Sequence, residues 1–270
     1  MEMTGSRRID WAVVPAAVRA RVAQLLGREI ASAQSLPGGF SEGVAARLRL
    51  DDGTDVFVKA ISATTAPAVA GFHRREAAVA RRLPAAVPAP RLIADYDDGE
   101  WVALLFEHVA GALPAQPWRP EDFERVLDAA TEMAAALTPS PIPAADAARP
   151  RLLETVPFAG DTLLHGDLYP FNVLLDAGRV HVVDWPHAWV GPVYADVLTL
   201  MSTAPDPERH LARNPLTRDL PPREVDAFLA AHSGFLLRLA ATAGPGADPR
   251  LVDMATTLGR NSLRWRQRRA

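Results

Sequence analysis

Apolar residues along this chain recur with two spacings, and the change from one to the other predicts its elements. Runs over 30–36, 44–50, 56–61, 91–96 and 101–106 are short and rich in branched or aromatic side chains. Asp51-Asp52-Gly53 and Asp97-Asp98-Gly99 fall between neighbouring runs as hairpin turns, so five antiparallel strands are expected. Spacings of three and four instead predict helices over 15–26, 66–83, 120–137, 223–241 and 250–266. Pro15 opens the first of these and Gly27 stops it, while Pro84, Pro88 and Pro90 end the second. The third carries Phe123, Val126, Leu127, Met133, Ala134 and Leu137 as its apolar face. A proline-rich surface connection over 139–150 follows it.

Composition changes this picture little, with one exception. At 270 residues, 49% hydrophobic and 23% charged, the chain can bury a sizeable core as one large or two small domains. It has no apolar run of about 18 residues and no apolar segment near Met1, which predicts neither a membrane span nor a signal peptide and a cytoplasmic place. With no cysteine, disulfides, thiolate metal sites and a cysteine nucleophile are excluded. A formal charge of −3 gives no signal for nucleic acid. The exception is that, of 29 basic residues, Lys59 is the only lysine. In a chain so biased to arginine, a position that stays lysine is informative, because a compact ammonium is a point charge that a planar guanidinium does not reproduce.

Two further positions stand out against the apolar pattern. Glu76, the only acid between Asp55 and Asp95, falls on the inward stripe of its helix with Val69, Phe72, Val79 and Leu83. A carboxylate there needs a cation, either Lys59 or a neighbouring arginine. The stretch His165-Gly166-Asp167-Leu168-Tyr169-Pro170-Phe171-Asn172 and then Asp184-Trp185 sit in turns between short β-type runs. Asp167, Asn172 and Asp184 together make the set that phosphoryl transfer requires: a carboxylate for the proton of the attacking hydroxyl and oxygen ligands for Mg²⁺. The bland alternative is a hairpin whose Asp and Asn serve only turn hydrogen bonds.

The D-x-x-x-x-N spacing followed by a hairpin aspartate resembles the protein-kinase-like superfamily. The H-G-D-L-x-x-x-N-V-L and D-W wording resembles its aminoglycoside phosphotransferase and choline kinase branch. That resemblance implies an α+β, bilobal protein-kinase-like fold, with a small antiparallel five-stranded lobe over 1–107 and a mainly helical lobe over 108–270. It makes Asp167 the catalytic base, Asn172 and Asp184 the Mg²⁺ ligands, and Lys59, held by Glu76, the contact to the nucleotide phosphates. The glycine-rich turn with Gly39 and Ser41 would approach the phosphates, and the backbone of Glu107 and Val109 the adenine edge. His165 and Asp196 would support the catalytic loop. The implied cofactors are ATP, with GTP as the alternative, and Mg²⁺, and the partner is a small-molecule hydroxyl acceptor. Nothing in the sequence sets the oligomeric state.

Within that branch several readings stay open: an aminoglycoside O-phosphotransferase conferring resistance, a choline or amino-alcohol kinase, and a catalytically dead nucleotide-binding module. A protein kinase is disfavoured, since Gly166 replaces the arginine of H-R-D, Trp185-Pro186 replaces F-G, and only eleven residues separate Asp184 from Asp196. Over 254–270 there are five arginines and no acid, whereas Glu121, Asp122, Glu124, Asp128 and Glu132 cluster on the third helix. Trp185, His187 and Trp189 are candidates for an aromatic wall beside the acceptor. The acceptor expected from these features is a small natural product, such as an antibiotic, less cationic than a typical aminoglycoside.

Overall fold

Strand-type alternation between Val44 and Ser62 builds the centre of a five-stranded antiparallel sheet in a computed structural model that describes residues 8–36, 43–148, 159–244 and 247–269. The strands are β1 (Ile30–Ser35), β2 (Val44–Leu50), β3 (Asp55–Ser62), β4 (Leu92–Asp97) and β5 (Trp101–Glu107), in the order β1-β2-β3-β5-β4. Interior β5 is buried from Trp101 to Phe106, while β1 at the edge is largely exposed. Among the described residues no helix is long and apolar enough to cross a membrane.

The chain forms two compact units. The first holds residues 1–82, 89–111 and 183–186, the second 83–88, 112–182 and 187–270. In the first, Val56, Val58 and Ala60 point from β3 into a core shared with Trp11, Val14, Val18 and Val22, the last two from α1 (Ala16–Leu26). The opposite face of the sheet carries Phe57, Leu104 and Phe106 against Ala77 of α2 (Pro67–Ala80). Lys59 shares the phase of Phe57, so its side chain leaves on the α2 side. Helix α2 ends at Ala80, a few residues before the Leu83 expected from periodicity.

The second unit is helical. It contains α3 (Pro120–Ala136), α4 (Ala195–Met201), α5 (Pro207–Leu211), α6 (Pro222–Ala241) and α7 (Pro249–Arg269), with two small ladders. Strand β6 (Thr162–Leu164) pairs with β9 (Trp189–Gly191), and β7 (Val173–Asp176) with β8 (Arg179–Val182). Helices α6 and α7 pack on each other, and Tyr169, Leu236, Ala255 and Leu258 form a shared core. The short α4 and α5 have no counterpart in the apolar periodicity. Every residue of α4 is buried, so it carries no polar face for a stripe to contrast with.

Candidate active site

In the first unit the chain's one lysine lies between two acids. Lys59 Nζ donates to Glu76 Oε1 at 2.7 Å, to Glu76 Oε2 at 3.0 Å and to Asp184 Oδ1 at 2.9 Å. Glu76 is 3% exposed, so the carboxylate on the apolar stripe has found Lys59 and not an arginine. Its other partner is the backbone N–H of Trp185, and Arg75 donates to the Pro186 carbonyl at 3.3 Å. Residues 184–186 are thereby tied to α2 at Glu76 and Arg75 and to β3 at Lys59. Asp184 is the one described non-glycine residue at positive φ, 71°, a conformation that aspartate visits more readily than most residues and that functional sites retain.

Charge in this cluster is strongly coupled. Burial works against the Lys59 ammonium, but Asp184 and Glu76 outweigh it and its pKa is raised, so it stays charged. Burial lifts Glu76 above the usual carboxylate range, with Lys59 pulling it back and Asp184 adding to the rise. His73 is pushed down to about 4 by burial and then by Lys59, leaving a neutral imidazole. Arg8, whose backbone bridges to Gly43, is attracted by Asp184 while burial lowers its pKa. No sequence pattern marks that arginine, because a single residue in an irregular segment has no periodicity to read.

The second unit carries the loop with Asp167. Asp196, in the first turn of α4, accepts the His165 N–H at 2.7 Å and the Gly166 N–H at 3.1 Å, one on each carboxylate oxygen. Asn172 Nδ2 donates to both the backbone oxygen and Oδ2 of Asp167, each at 2.8 Å. This fixes the carboxylate and leaves the Asn172 amide oxygen as an acceptor. His165 is fully buried and accepts the Asp167 N–H on Nδ1 at 3.2 Å, which puts its ring proton on Nε2.

Gly166 is required here. It sits at φ +78°, and a Cβ would collide with the His187 carbonyl oxygen and come within 2.8 Å of the Trp189 ring. The arginine of H-R-D could not occupy this position.

A second brace reaches the loop through Tyr169. Its hydroxyl lies 2.7 Å from His232 Nε2, and His232 Nδ1 lies 2.8 Å from Ser262 Oγ. Ser262 itself donates to the Leu258 carbonyl, so the network closes when His232 donates from Nδ1 and accepts from Tyr169 on Nε2. Burial pushes His232 down to about 4, which keeps it in that neutral form.

The remaining expected site residues fare differently. Gly39 and Ser41 lie outside the described residues. The N–H of Glu107 is bonded to the Arg91 carbonyl at 3.0 Å, and its side chain pairs with Arg91. Val109 lies just past β5. The expected aromatic wall does not form, because Trp185 and Trp189 are each 3% exposed, Trp189 packing over Gly166 and Gly191. Their rings fill core volume and offer no face to an acceptor, whereas His187 is exposed. The basic end of the chain is partly structural, since Arg269 pairs with Glu208 and Asp226 while Trp265 is buried.

No group of three or more His, Asp or Glu able to hold a metal ion occurs among the described residues. The amide oxygen of Asn172, in the second unit, and the carboxylate of Asp184, in the first, are each hard oxygen donors of the kind Mg²⁺ takes.

Compared with known proteins, the chain matches the model of a phosphotransferase enzyme family over residues 32–139 and 116–241. No curated protein sequence matches it. Among solved structures, a candidate fructosamine-3-kinase from Thermobifida fusca YX-ER1 is 26% identical with a TM-score of 0.59, over 92% of this chain and 99% of that one. A thermostable mutant of the aminoglycoside phosphotransferase APH(4)-Ia, in a ternary complex with ADP and hygromycin B, has a TM-score of 0.62 at 14% identity, over 92% of this chain and 98% of that one. An amicoumacin kinase in complex with AMP-PNP and Ca²⁺ has a TM-score of 0.60 at 10% identity, over 92% and 93%. The last two likenesses are of fold.

Proposed function

The chain belongs to the phosphotransferase enzyme family, and from that premise we propose that it moves the γ-phosphoryl group of ATP, with Mg²⁺, to a hydroxyl of a small molecule. The observation that carries this reading is the lone lysine held between buried Glu76 and half-exposed Asp184, a cation and two acids suited to phosphates together with the divalent cation that accompanies them. Lys59 contacts the phosphates as a point charge, and Glu76 keeps it there. Asp167, its carboxylate fixed by Asn172, orients the acceptor hydroxyl and takes its proton. Asp196 and the Tyr169–His232 pair hold the backbone that carries Asp167. The Glu107 carbonyl and the Val109 N–H meet the adenine edge. Asn172 and Asp184 would hold Mg²⁺, which would neutralise charge on the phosphate oxygens.

The test is to incubate purified protein with Mg·ATP and a library of hydroxylated small molecules and read phosphorylated products by mass spectrometry. Asp167→Asn should keep nucleotide affinity while turnover falls by about 10²-fold or more. Near-normal turnover in the folded variant would remove Asp167 from the mechanism.

A further inference from the structure

Leu113 is a large apolar side chain left 53% exposed, and it borders a cavity of about 370 Å³ lying wholly within the second unit. Pro170 and Phe171 of the catalytic loop form one wall of this cavity, and Met254 and Leu258 of α7 form another. Phe171 stacks on Tyr169 with ring centroids 5.3 Å apart, so the wall is continuous with the turn that carries Asp167 and Asn172. The volume lies within the range of about 300–1,000 Å³ typical of small-molecule sites. The polar groups on the lining are Gln116, Thr257 and Asp253, of which Asp253 alone is ionisable.

We propose that this cavity is the acceptor subsite and that it takes a hydroxylated molecule with an apolar, ring-sized body and a single cationic group, which Asp253 pairs. The proposal rests on the reading of Asp167 as the base, since only then does a ligand against Pro170 and Phe171 sit beside the reacting group. Chemistry of the lining sets the class. Leu113, Phe171, Met254 and Leu258 gain from covering apolar surface, which a heavily hydroxylated and aminated sugar does not present. One carboxylate matches one ammonium. A polyamine would bring further ammonium groups with no acid to meet them along α7, where the residues after Asp253 are rich in arginine and contain no acid.

The probe for this class is dansylcadaverine, an aromatic body with one primary ammonium, compared with its neutral N-acetyl derivative by fluorescence titration of the full chain. The amine should bind about 3–10-fold more tightly than the amide, as a partly exposed ion pair allows, and Asp253→Asn should abolish that preference without weakening the amide. Met254→Lys, which places a cation on the apolar wall, should weaken both by about 10-fold or more. Circular dichroism and ADP affinity would show that the variants stay folded. Binding of neither probe, indifference to both substitutions, or displacement of the probe by kanamycin at equal or lower concentration than by a monoamine alcohol would overturn the proposal. Binding is read without turnover, so the two readings fail separately. A protein that binds the probe as described but phosphorylates nothing refutes the kinase reading, and one that phosphorylates alcohols while ignoring the probe refutes the pocket.

Discussion

Replacing Asp196 with Asn removes a titrating carboxyl from a buried position together with one of the two N–H bonds that it accepts. In the wild-type protein the carboxyl is pushed up to about 6 from 3.8 by burial, against the two N–H bonds from His165 and Gly166 that favour its ionised form. A folded pKa above the unfolded one means that the native state holds the proton more tightly. The contribution is therefore most favourable below the unfolded value of 3.8 and is lost as pH rises through about 6. At about 1.4 kcal/mol per pH unit the full loss is about 3 kcal/mol, of which about 2 kcal/mol falls between about pH 4.5 and about pH 7.5. Asn does not titrate, but it accepts only one of the two N–H bonds and turns its NH₂ toward the other donor, which costs about 1–3 kcal/mol at every pH. Urea unfolding of both proteins across that pH range should show the wild type losing about 2 kcal/mol relative to the variant, with other titrating groups cancelling in the difference. In parallel, the transfer rate of the variant should fall by about 10-fold or more, since the misplaced amides at 165–166 lead directly into Asp167. A stability difference that is flat with pH, or that favours the wild type as pH rises, would refute the account of Asp196 as a buried, ionised brace.

Three further outcomes follow from single contacts. Lys59→Arg should not support turnover, because a planar fork does not reproduce an ammonium between carboxylate oxygens at 2.7 and 2.9 Å, and Glu76→Gln should lower activity less than any change at Lys59; ADP affinity by calorimetry and turnover together check this order. Gly166→Ala should cost more than about 2 kcal/mol, from its left-handed backbone and the collision with His187, and an urea midpoint close to that of the wild type would contradict it. Tyr169→Phe leaves the buried Nε2 of His232 without its donor and should cost about 1–3 kcal/mol, a loss that a calorimetric melt resolves.

What could be read from the sequence was what is local. Alternation over 46–50 and the short continuous apolar run over 101–106 both mark strands, and DG turns close the hairpins, so the sheet and the long helices are legible in the sequence. Lys59 and Glu76 were legible because each violates the pattern around it, a lone lysine among arginines and an acid on an apolar stripe. Charge pairing with Asp184, by contrast, joins residues far apart in the chain. The same is true of the Tyr169–His232–Ser262 network and of the cavity that brings Leu113, Phe171 and Asp253 together. Aromatic character at Trp185 and Trp189 suits a core and a binding face equally, and burial alone separates the two. Periodicity reports which face of an element is apolar; which distant element covers that face, and which polar groups meet there, is set by packing that leaves no repeating mark on the chain.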